Sequence, residues 1–381
     1  MKNEYIAFLL RYLLYRRNKL PAVINFAAKR LAFNNPYIFN GHKALPPPAT
    51  IMIRITHRSN LIPTYCGMWA QIGASNGIWD NQLTTMEWKE FIKAIAAFRP
   101  YIFFEGGEPL LRDDVVDLAR TVSSYNMLCG LRSNGTKLEE HAEGLIREGL
   151  DYILCNLEAT EPVNGEITGD PASFKRTITG IKTLINVRGN KKLPLIQMTT
   201  SIHQKNQHLL FELAQLAEEL GVDVFAISFP IFTTPELEAR TRERFQKELG
   251  VEPKYWKGFI ADMTGIDCDL IENQLDRIRS TKWRFAYRQF PPATKDFKVS
   301  THFRNPEVIH GHRSCRLPWS LAVILPNGDV STCWDHPDYI VGNILKQNFI
   351  DIWNGERYRR FRQAIRRGIF PACPRCTALY Q

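Results

Sequence analysis

Residues 53–68 read IRITHRSNLIPTYCGM, an apolar strand that runs into a loop carrying a single cysteine, Cys66. The next apolar segment, residues 101–112, reads YIFFEGGEPLLR and ends in two glycines, a glutamate and a proline. Glycine lets the backbone approach a neighbouring group closely, and a carboxylate or carbonyl accepts hydrogen bonds from an ammonium group. The two segments therefore predict consecutive strands, each followed by a loop that is equipped to form part of a site.

From residue 51 onward, strand-like apolar runs alternate with amphipathic helix-like runs. Strands are predicted at 51–56, 101–105, 127–132, 151–157, 195–202 and 223–229. Helices are predicted at 85–98, 112–125, 137–148, 173–188, 207–220 and 235–248. This alternation indicates a parallel sheet covered by helices. The fold class is therefore α/β, an incomplete (β/α)6 TIM-like barrel, and its ligands are expected at the C-terminal ends of the strands.

The C-terminal region holds four of the eight cysteines of the chain. They are Cys315, Cys333, Cys373 and Cys376. The region between the first and last of them has the order strand, turn at 326–328, strand, cysteine, helix and closing Cys-x2-Cys. This pattern indicates metal ligation in a reducing compartment and not a disulfide framework. Four thiolates satisfy one iron–sulfur cluster completely or one zinc ion. Spacing alone does not separate these two alternatives.

Together these motifs resemble the radical S-adenosylmethionine (radical SAM) superfamily with a C-terminal extension of the SPASM or twitch type. The resemblance runs from about residue 51 to the C-terminus. It implies a barrel of the radical SAM type and one auxiliary 4Fe–4S cluster at the four C-terminal cysteines, with zinc as the alternative. It also implies a remnant of the S-adenosylmethionine pocket at Gly106, Gly107, Glu108, Pro109, Asn134 and Glu158.

The same resemblance shows where this chain departs from the family pattern. Ser59, Pro63 and Cys66 occupy the three positions of the family's Cys-x3-Cys-x2-Cys cluster loop. Serine is a poor substitute for the soft thiolates that an iron–sulfur cluster needs, and proline has no side-chain donor. After the fourth strand, Thr168 stands where relatives carry an arginine for the carboxylate of S-adenosylmethionine, and threonine cannot form a bidentate charge-assisted pair.

The absence of cysteine at positions 59 and 63 and of arginine at position 168 predicts a degenerate radical SAM-like iron–sulfur protein. Its expected role is that of an accessory or substrate-binding partner of an active radical SAM enzyme. The alternative is an active S-adenosylmethionine-dependent enzyme with atypical cluster ligation, acting on a peptide, a lipid or a small molecule. The catalytic residues and the substrate are not identified by the sequence.

The net charge of +10 is concentrated at the two ends of the chain. Residues 1–33 and residues 355–381 each carry seven basic side chains and one acidic side chain. The N-terminal segment predicts basic amphipathic helices whose apolar run is too short to span a bilayer. It either packs on the barrel or docks to a partner or a membrane surface. Nucleic acid is not expected, because no recognition motif accompanies the charge.

These observations divide the chain into four predicted parts. They are the N-terminal helices and a proline linker (1–50), the barrel (51–233), a third part (234–314) made of a helical insertion at 234–283 and an irregular segment at 284–314, and the cluster-binding extension (315–381). The expected partner is another radical SAM protein or a second copy of the chain. We expect a cytoplasmic location, free or peripheral at the membrane, because no signal peptide is evident.

Overall fold

The computed structural model describes residues 16–32, 44–63, 81–310 and 314–380. Its strands are β1 Thr50–Thr56, β2 Tyr101–Gly106, β3 Cys129–Ser133, β4 Tyr152–Asn156, β5 Leu195–Ser201, β6 Val224–Ser228, β7 Ala286–Phe290, β8 Leu321–Ile324, β9 Asp329–Ser331 and β10 Ile340–Asn343. Its α-helices are α1 Leu20–Ala32, α2 Thr85–Ile95, α3 Val115–Ser124, α4 Leu138–Arg147, α5 Val163–Thr168, α6 Ser173–Arg188, α7 Leu210–Leu220, α8 Pro235–Leu249, α9 Cys268–Ser280, α10 Val299–Arg304, α11 Leu317–Ser320, α12 Phe349–Trp353 and α13 Glu356–Arg366. Short 3-10 turns lie at Arg17–Lys19, Ala96–Phe98, Pro109–Leu111, Tyr255–Phe259, Cys373–Arg375 and Thr377–Tyr380.

All ten strands belong to one sheet with the order β10-β9-β8-β1-β2-β3-β4-β5-β6-β7. Strands β1 to β7 are parallel and follow one another in chain order. Strand β8 pairs parallel with β1 on its other side, and β9 and β10 continue antiparallel from there. The predicted incomplete TIM-like barrel is confirmed, and each of the six predicted strands is present within two residues of its predicted ends.

The prediction of an irregular segment at 284–314 is wrong. Strand β7 lies in it and pairs with β6 over five residues, and helix α10 follows. The β7 sequence, AYRQF, lacks the apolar run typical of a buried strand because it carries a charged residue, Arg288, on one face. The division into four parts stays a prediction, but one continuous sheet crosses its boundaries at 233 and 314.

The two faces of the sheet carry different side chains, because successive residues of a strand point to opposite sides. In β1, Ile51, Ile53 and Ile55 belong to the large apolar core that the helices cover. Met52 belongs to a second cluster, which also contains Phe103 of β2 and residues of the C-terminal extension. We call the helix-covered side the outer face and the opposite side the inner face.

Helix α1 closes the N-terminal end of the barrel. Ala22 and Val23 pack against Leu128, Leu193 and Leu195 at the starts of the strands. Before the helix, the ammonium group of Lys19 lies 2.6 Å from a carboxylate oxygen of Asp151, and both side chains are 1% exposed. The guanidinium of Arg16 lies 3.1 Å from the other oxygen of the same carboxylate.

For residues 16–32, these contacts favour the packed interpretation of the basic N-terminal segment. Two of its basic side chains neutralise a buried aspartate, and a third, Lys29, donates to the carbonyl oxygens of Pro48 and Phe98. These charges are therefore engaged within the protein. Residues 1–15, to which membrane contact was also assigned, lie outside the described residues. In the ranges described above, no helix is long and apolar enough to cross a bilayer.

Replacing Lys19 by alanine is expected to lower the free energy of unfolding by about 3 kcal/mol, because it leaves the buried Asp151 carboxylate with Arg16 as its remaining described cationic partner, beside the amide of Cys129. Urea unfolding of the wild type and the variant measures the difference. The matched control is Lys137→Ala, which removes an exposed ion pair with Glu140 and is expected to cost less than about 1 kcal/mol. Equal effects of the two substitutions would contradict the assigned role of Lys19.

Candidate cofactor edge and four-cysteine site

The glycines at the end of β2 hold the loop that follows β1. The amide of Gly107 donates to the carbonyl oxygen of Thr56 at 2.9 Å, and the amide of Glu108 donates to that of Arg58 at 2.8 Å. A Cβ atom on Gly106 would overlap the backbone of Thr56, and one on Gly107 would overlap the backbone of Arg58. The close approach of two chain segments therefore requires both glycines, whether or not a ligand binds nearby.

The carboxylate of Glu108 is fully buried and hydrogen-bonded to the protein. One oxygen accepts from the hydroxyl of Ser133 at 2.9 Å and from the amide of Leu110 at 3.0 Å. The other accepts from the amide of Asn134 at 2.6 Å. Burial raises the pKa of Glu108 to about 7, against the opposing effect of these hydrogen bonds. The side chain thus joins the ends of β2 and β3 and is directed into the protein.

The described part of the loop after β1 is attached to its neighbours by polar side chains. Ser59, at the first cluster position, donates to the carbonyl oxygen of Leu61 at 2.8 Å. The amide side chain of Asn60 donates to the hydroxyl of Thr136 at 2.8 Å and accepts from that of Asn134 at 2.9 Å. Asn134 therefore bonds to the loop itself. Pro63 ends the described part, and Cys66 lies outside it.

A second polar network follows β4 and β5. Glu158 is buried, and its carboxylate accepts from the amide of Ser201 at 2.8 Å. Thr168, at the expected arginine position, is buried at the end of α5 and donates to the carbonyl oxygen of Asn164 at 2.8 Å. The carbonyl oxygen of Thr168 accepts from the amide of Ile62 at 3.0 Å. This contact joins α5 to the loop after β1.

Sequence reasoning missed the asparagines that organise this edge. Asn164 accepts from the amides of Glu158 and Ala159, and Asn206 donates to the carbonyl oxygen of Glu158 at 2.6 Å. Asn60 has a similar bridging role. Each lies in a loop or short helix beyond a strand end, where an amide that both donates and accepts can satisfy backbone groups. In the sequence, only their position after predicted strands indicates that these asparagines lie at this edge.

The four C-terminal cysteines converge on one pocket. Its lining includes Cys315, Cys333, Cys373 and Cys376. The first precedes α11 and the second follows β9. The third begins the 3-10 turn Cys373–Arg375, and the fourth follows that turn directly. Apolar side chains such as Phe361 and Phe370 complete the lining, together with Thr332 and Asp335. The structure thus brings together all four predicted ligands from three separate segments.

The four thiols of the pocket lie in an apolar surrounding, which disfavours their charged form until a metal binds. Burial raises the pKa of Cys315 to about 11 and raises the pKa values of the other three thiols further. The thiol of Cys376 donates to the carboxylate of Asp335 at 2.7 Å, and burial raises the pKa of Asp335 to about 6. The hydroxyl of Thr332 is buried and has no hydrogen-bond partner among the described residues. A bound group with acceptor atoms fits beside it.

Zinc and a four-iron cluster both accept a set of four cysteines. A tetrahedral zinc site requires all four sulfurs at about 2.3 Å from one point. A four-iron cluster binds each sulfur to a different iron. The four cysteines therefore fit either group by their chemistry, and zinc stays the alternative.

Comparison with known families agrees with this architecture. The model of the radical SAM superfamily matches residues 53–199. The SPASM model, an iron–sulfur cluster-binding domain, matches residues 315–377. The chain belongs to the radical SAM superfamily. Its C-terminal part is a SPASM extension, as the order of motifs predicted, and the family implies iron–sulfur clusters and S-adenosylmethionine binding.

Individual relatives of this radical SAM protein match most of its length. The pre-heme d1 synthase of Dinoroseobacter shibae is 25% identical over 324 residues, which cover 81% of this chain and 74% of the relative. The tungsten-containing aldehyde ferredoxin oxidoreductase cofactor-modifying protein of Pyrococcus furiosus is 24% identical over 325 residues, covering 78% and 81%. Both alignments extend well beyond either single domain model.

Solved structures share the fold at lower identity. SuiB of Streptococcus suis bound to S-adenosylmethionine superposes with a TM-score of 0.59 at 16% identity, covering 88% of this chain and 70% of SuiB. The anSMEcpe protein with bound AdoMet superposes with a TM-score of 0.57 at 12% identity, covering 84% and 83%. At these identities the likeness concerns the fold. The assigned roles of individual residues toward a cofactor stay predictions.

The buried carboxyl of Glu108 predicts a pH-dependent contribution to stability. Its pKa in the folded protein, about 7, lies above the ordinary value of 4.5. The unfolded chain therefore releases this proton at lower pH, and the stability that the protonated carboxyl contributes is lost as the pH rises from about 4.5 to about 7. In Glu108→Gln the side chain stays neutral. The free energy of unfolding of the variant, relative to the wild type, should therefore rise by up to about 1.4 kcal/mol per pH unit across this window.

Chemical unfolding at a series of pH values measures this difference. The control is Glu140→Gln, which removes an exposed carboxylate whose pKa is lowered by the hydrogen bond from Lys137. For that variant the difference should move in the opposite direction as the pH rises. A difference for Glu108→Gln that stays constant between pH 4 and pH 8 would show that its carboxyl does not titrate as the burial implies.

Proposed function

We propose that this radical SAM protein is degenerate in its barrel and carries one auxiliary 4Fe–4S cluster at the four cysteines of its SPASM extension. Its role would be that of an accessory or substrate-binding partner of an active radical SAM enzyme. The observation that carries the proposal is the ligand set of the barrel. Ser59 and Pro63 supply no thiolate, and Thr168 is buried and bonded to Asn164 where relatives carry an arginine.

The contacts at the cofactor edge support this proposal. Gly106, Gly107 and Glu108 have roles in packing and strand-end attachment that need no ligand. Glu158 and Asn134 likewise bond to protein groups. Since the fold accounts for each of these residues, their presence carries little information about binding of S-adenosylmethionine. A thiolate in the family's cluster loop, by contrast, serves the cluster and not the fold. The absence of thiolates at Ser59 and Pro63 therefore does carry information about the cluster.

The auxiliary site supports the second half of the proposal. Cys315, Cys333, Cys373 and Cys376 would hold the cluster, and a fully cysteine-ligated cluster supplies one-electron transfer or folding energy when bound. Phe361 and Phe370 give the site an apolar lining. The hydroxyl of Thr332 is available to donate to a sulfur of the bound group. Zinc stays the alternative occupant.

A second candidate function is an active S-adenosylmethionine-dependent enzyme with unusual cluster ligation. The relatives favour it, because they carry enzyme names such as pre-heme d1 synthase and PqqA peptide cyclase, the latter from Gluconobacter oxydans at 27% identity over 179 residues. SuiB has been solved with its precursor peptide, so a peptide is one substrate class to consider. In this case Cys66 would ligate iron together with groups other than cysteine.

Iron and acid-labile sulfide per chain after anaerobic reconstitution distinguish the two functions. The proposal predicts about four irons in the wild type and fewer than one in Cys373→Ala/Cys376→Ala, because one cluster needs all four thiolates. The control Cys268→Ala removes a cysteine of α9 and should leave about four irons. About eight irons, falling to about four in the double variant, would support the active enzyme. One zinc and no iron would select the zinc site.

Binding of S-adenosylmethionine gives an independent test on the reconstituted protein. The proposal predicts no saturable binding in equilibrium dialysis up to about 1 mM, a binding free energy weaker than about −4 kcal/mol. The reason is that the barrel lacks two groups with which relatives bind S-adenosylmethionine. These are the open iron of the barrel cluster and the arginine for the carboxylate. Micromolar binding that Cys66→Ala abolishes would reject the degenerate interpretation in favour of the enzyme.

A further inference from the structure

Thr332 lies in the wall of the four-cysteine pocket, directly before Cys333 in the chain. It follows strand β9, whose last residue, Ser331, pairs with Val323 of β8 on one side and with Ile340 of β10 on the other. Thr332 itself is 0% exposed. Because β9 is paired on both sides, its end is held in place, and the threonine keeps a defined position beside a predicted cluster ligand.

The hydroxyl of Thr332 is the one buried hydroxyl among the described residues that has no hydrogen-bond partner. Thr200 of β5, for comparison, is also 0% exposed, and its hydroxyl donates to the carbonyl oxygen of Glu158 at 3.1 Å. The hydroxyl of Ser331, next to Thr332 in the chain, donates to the carbonyl oxygen of Cys333 at 3.1 Å. A hydroxyl that leaves water without gaining an acceptor destabilises a protein. This exception therefore indicates an acceptor from outside the protein chain.

The described groups around this hydroxyl are weak acceptors or are already engaged. Phe361 and Phe370 line the pocket with apolar atoms, and a neutral thiol is a weak acceptor. One carboxylate oxygen of Asp335 already accepts from the thiol of Cys376 at 2.7 Å and from the indole of Trp334 at 2.9 Å. A cluster bound to the four cysteines would bring sulfur atoms that carry negative charge. Hydrogen bonds to charged acceptors are roughly twice as strong as those between neutral groups.

We propose that the hydroxyl of Thr332 donates a hydrogen bond to a sulfur atom of the cluster at the four cysteines and thereby raises the reduction potential of that cluster. Reduction by one electron adds negative charge to the cluster, so a donor beside a sulfur atom stabilises the reduced form more than the oxidised form. Hydrogen bonds to the sulfur atoms are among the features that set the potential of iron–sulfur clusters. Thr332 is thus assigned to tuning the cofactor and not to ligating iron.

This assignment of Thr332 rests on the proposed 4Fe–4S cluster of the extension and names a residue that controls its potential. The iron and zinc content of each preparation tests the cluster, whereas the potential of the loaded protein tests Thr332. Failure of the proposed function and failure of this assignment are therefore distinguishable.

Two substitutions at position 332 separate the hydroxyl from the shape of the side chain. Thr332→Val replaces the hydroxyl by a methyl group, and Thr332→Ser keeps the hydroxyl and removes the methyl group. Redox titration of the anaerobically reconstituted full chain with dithionite, followed by electron paramagnetic resonance, measures the one-electron potential. Thr332→Val should make reduction about tenfold less favourable, a shift of about 59 mV to lower potential, because the reduced cluster loses its donor. Thr332→Ser should stay closer to the wild type than to Thr332→Val.

Thr200→Val is the matched control, because it removes an equally buried hydroxyl whose acceptor is the carbonyl oxygen of Glu158 and not the bound group. Loss of that hydrogen bond is expected to destabilise the protein and to leave the potential of the cluster at the wild-type value.

Electron–nuclear double resonance of the reduced protein in D2O gives a second readout that the wild type alone can supply. An exchangeable deuteron on a hydroxyl that donates to a cluster sulfur should couple to the unpaired electron. This coupling is expected in the wild type and in Thr332→Ser, and it should be missing from Thr332→Val.

Four results would overturn the assignment of Thr332. An unchanged potential in Thr332→Val is the first, and equal shifts in Thr332→Val and Thr332→Ser, which indicate an effect of side-chain shape, are the second. The third is an equal shift in Thr200→Val, which would indicate a general effect of lost stability. The fourth is the absence of any such deuteron coupling in the wild type. A preparation that holds zinc and no iron would overturn the proposed cluster, and the assignment of Thr332 with it.

Discussion

The hydrogen bonds of the buried Glu108 carboxylate fix the edge on which the rest of the site depends. A carboxylate taken out of water must recover its lost hydration from protein donors, and Glu108 does so with Ser133, Leu110 and Asn134. These bonds set the position of the turn after β3, which holds Asn60 and with it the loop after β1. The geometry of this strand-end edge thus follows from one side chain that faces the protein interior.

If the barrel is degenerate as proposed, this arrangement explains how the family's glycine and glutamate motif can persist without the cluster. The glycines permit backbone contact between β1 and β2, and the glutamate ties β2 to β3. Neither contribution involves iron or S-adenosylmethionine. Cluster ligands are different, because a thiolate that binds iron serves the cluster and not the packing of strands. On the proposal above, serine and proline at these positions are therefore compatible with an intact barrel.

Polar contacts also connect the inner face of the barrel to the four-cysteine pocket. Arg54 donates to the carbonyl oxygen of Trp334 at 2.7 Å, and the indole of Trp334 donates to the carboxylate of Asp335 at 2.9 Å. The same oxygen of Asp335 accepts from the thiol of Cys376 at 2.7 Å. Since strand β8 also pairs with β1, the extension is built into the barrel by its backbone and its side chains.

The sequence predicted the elements that repeat and missed those that do not. Strands β1 to β6 are recognisable from apolar runs at regular spacing, and the four cysteines from their type and order. Strand β7 was missed because Arg288 interrupts its apolar pattern, and pairing to an existing sheet edge, a tertiary effect, decides its conformation. The asparagines Asn60, Asn164 and Asn206 could not be assigned, because their role depends on loop groups that only the folded chain brings into hydrogen-bonding position.

The most direct test of the central claim is the location of iron in the folded protein. An anomalous-difference map collected at the iron absorption edge, from crystals of the anaerobically reconstituted chain, shows each iron site independently of any assumed ligand. The account predicts one group of peaks, enclosed by Cys315, Cys333, Cys373 and Cys376. A second group of peaks beside Cys66 would contradict the account and would support the alternative that the chain is an active radical SAM enzyme.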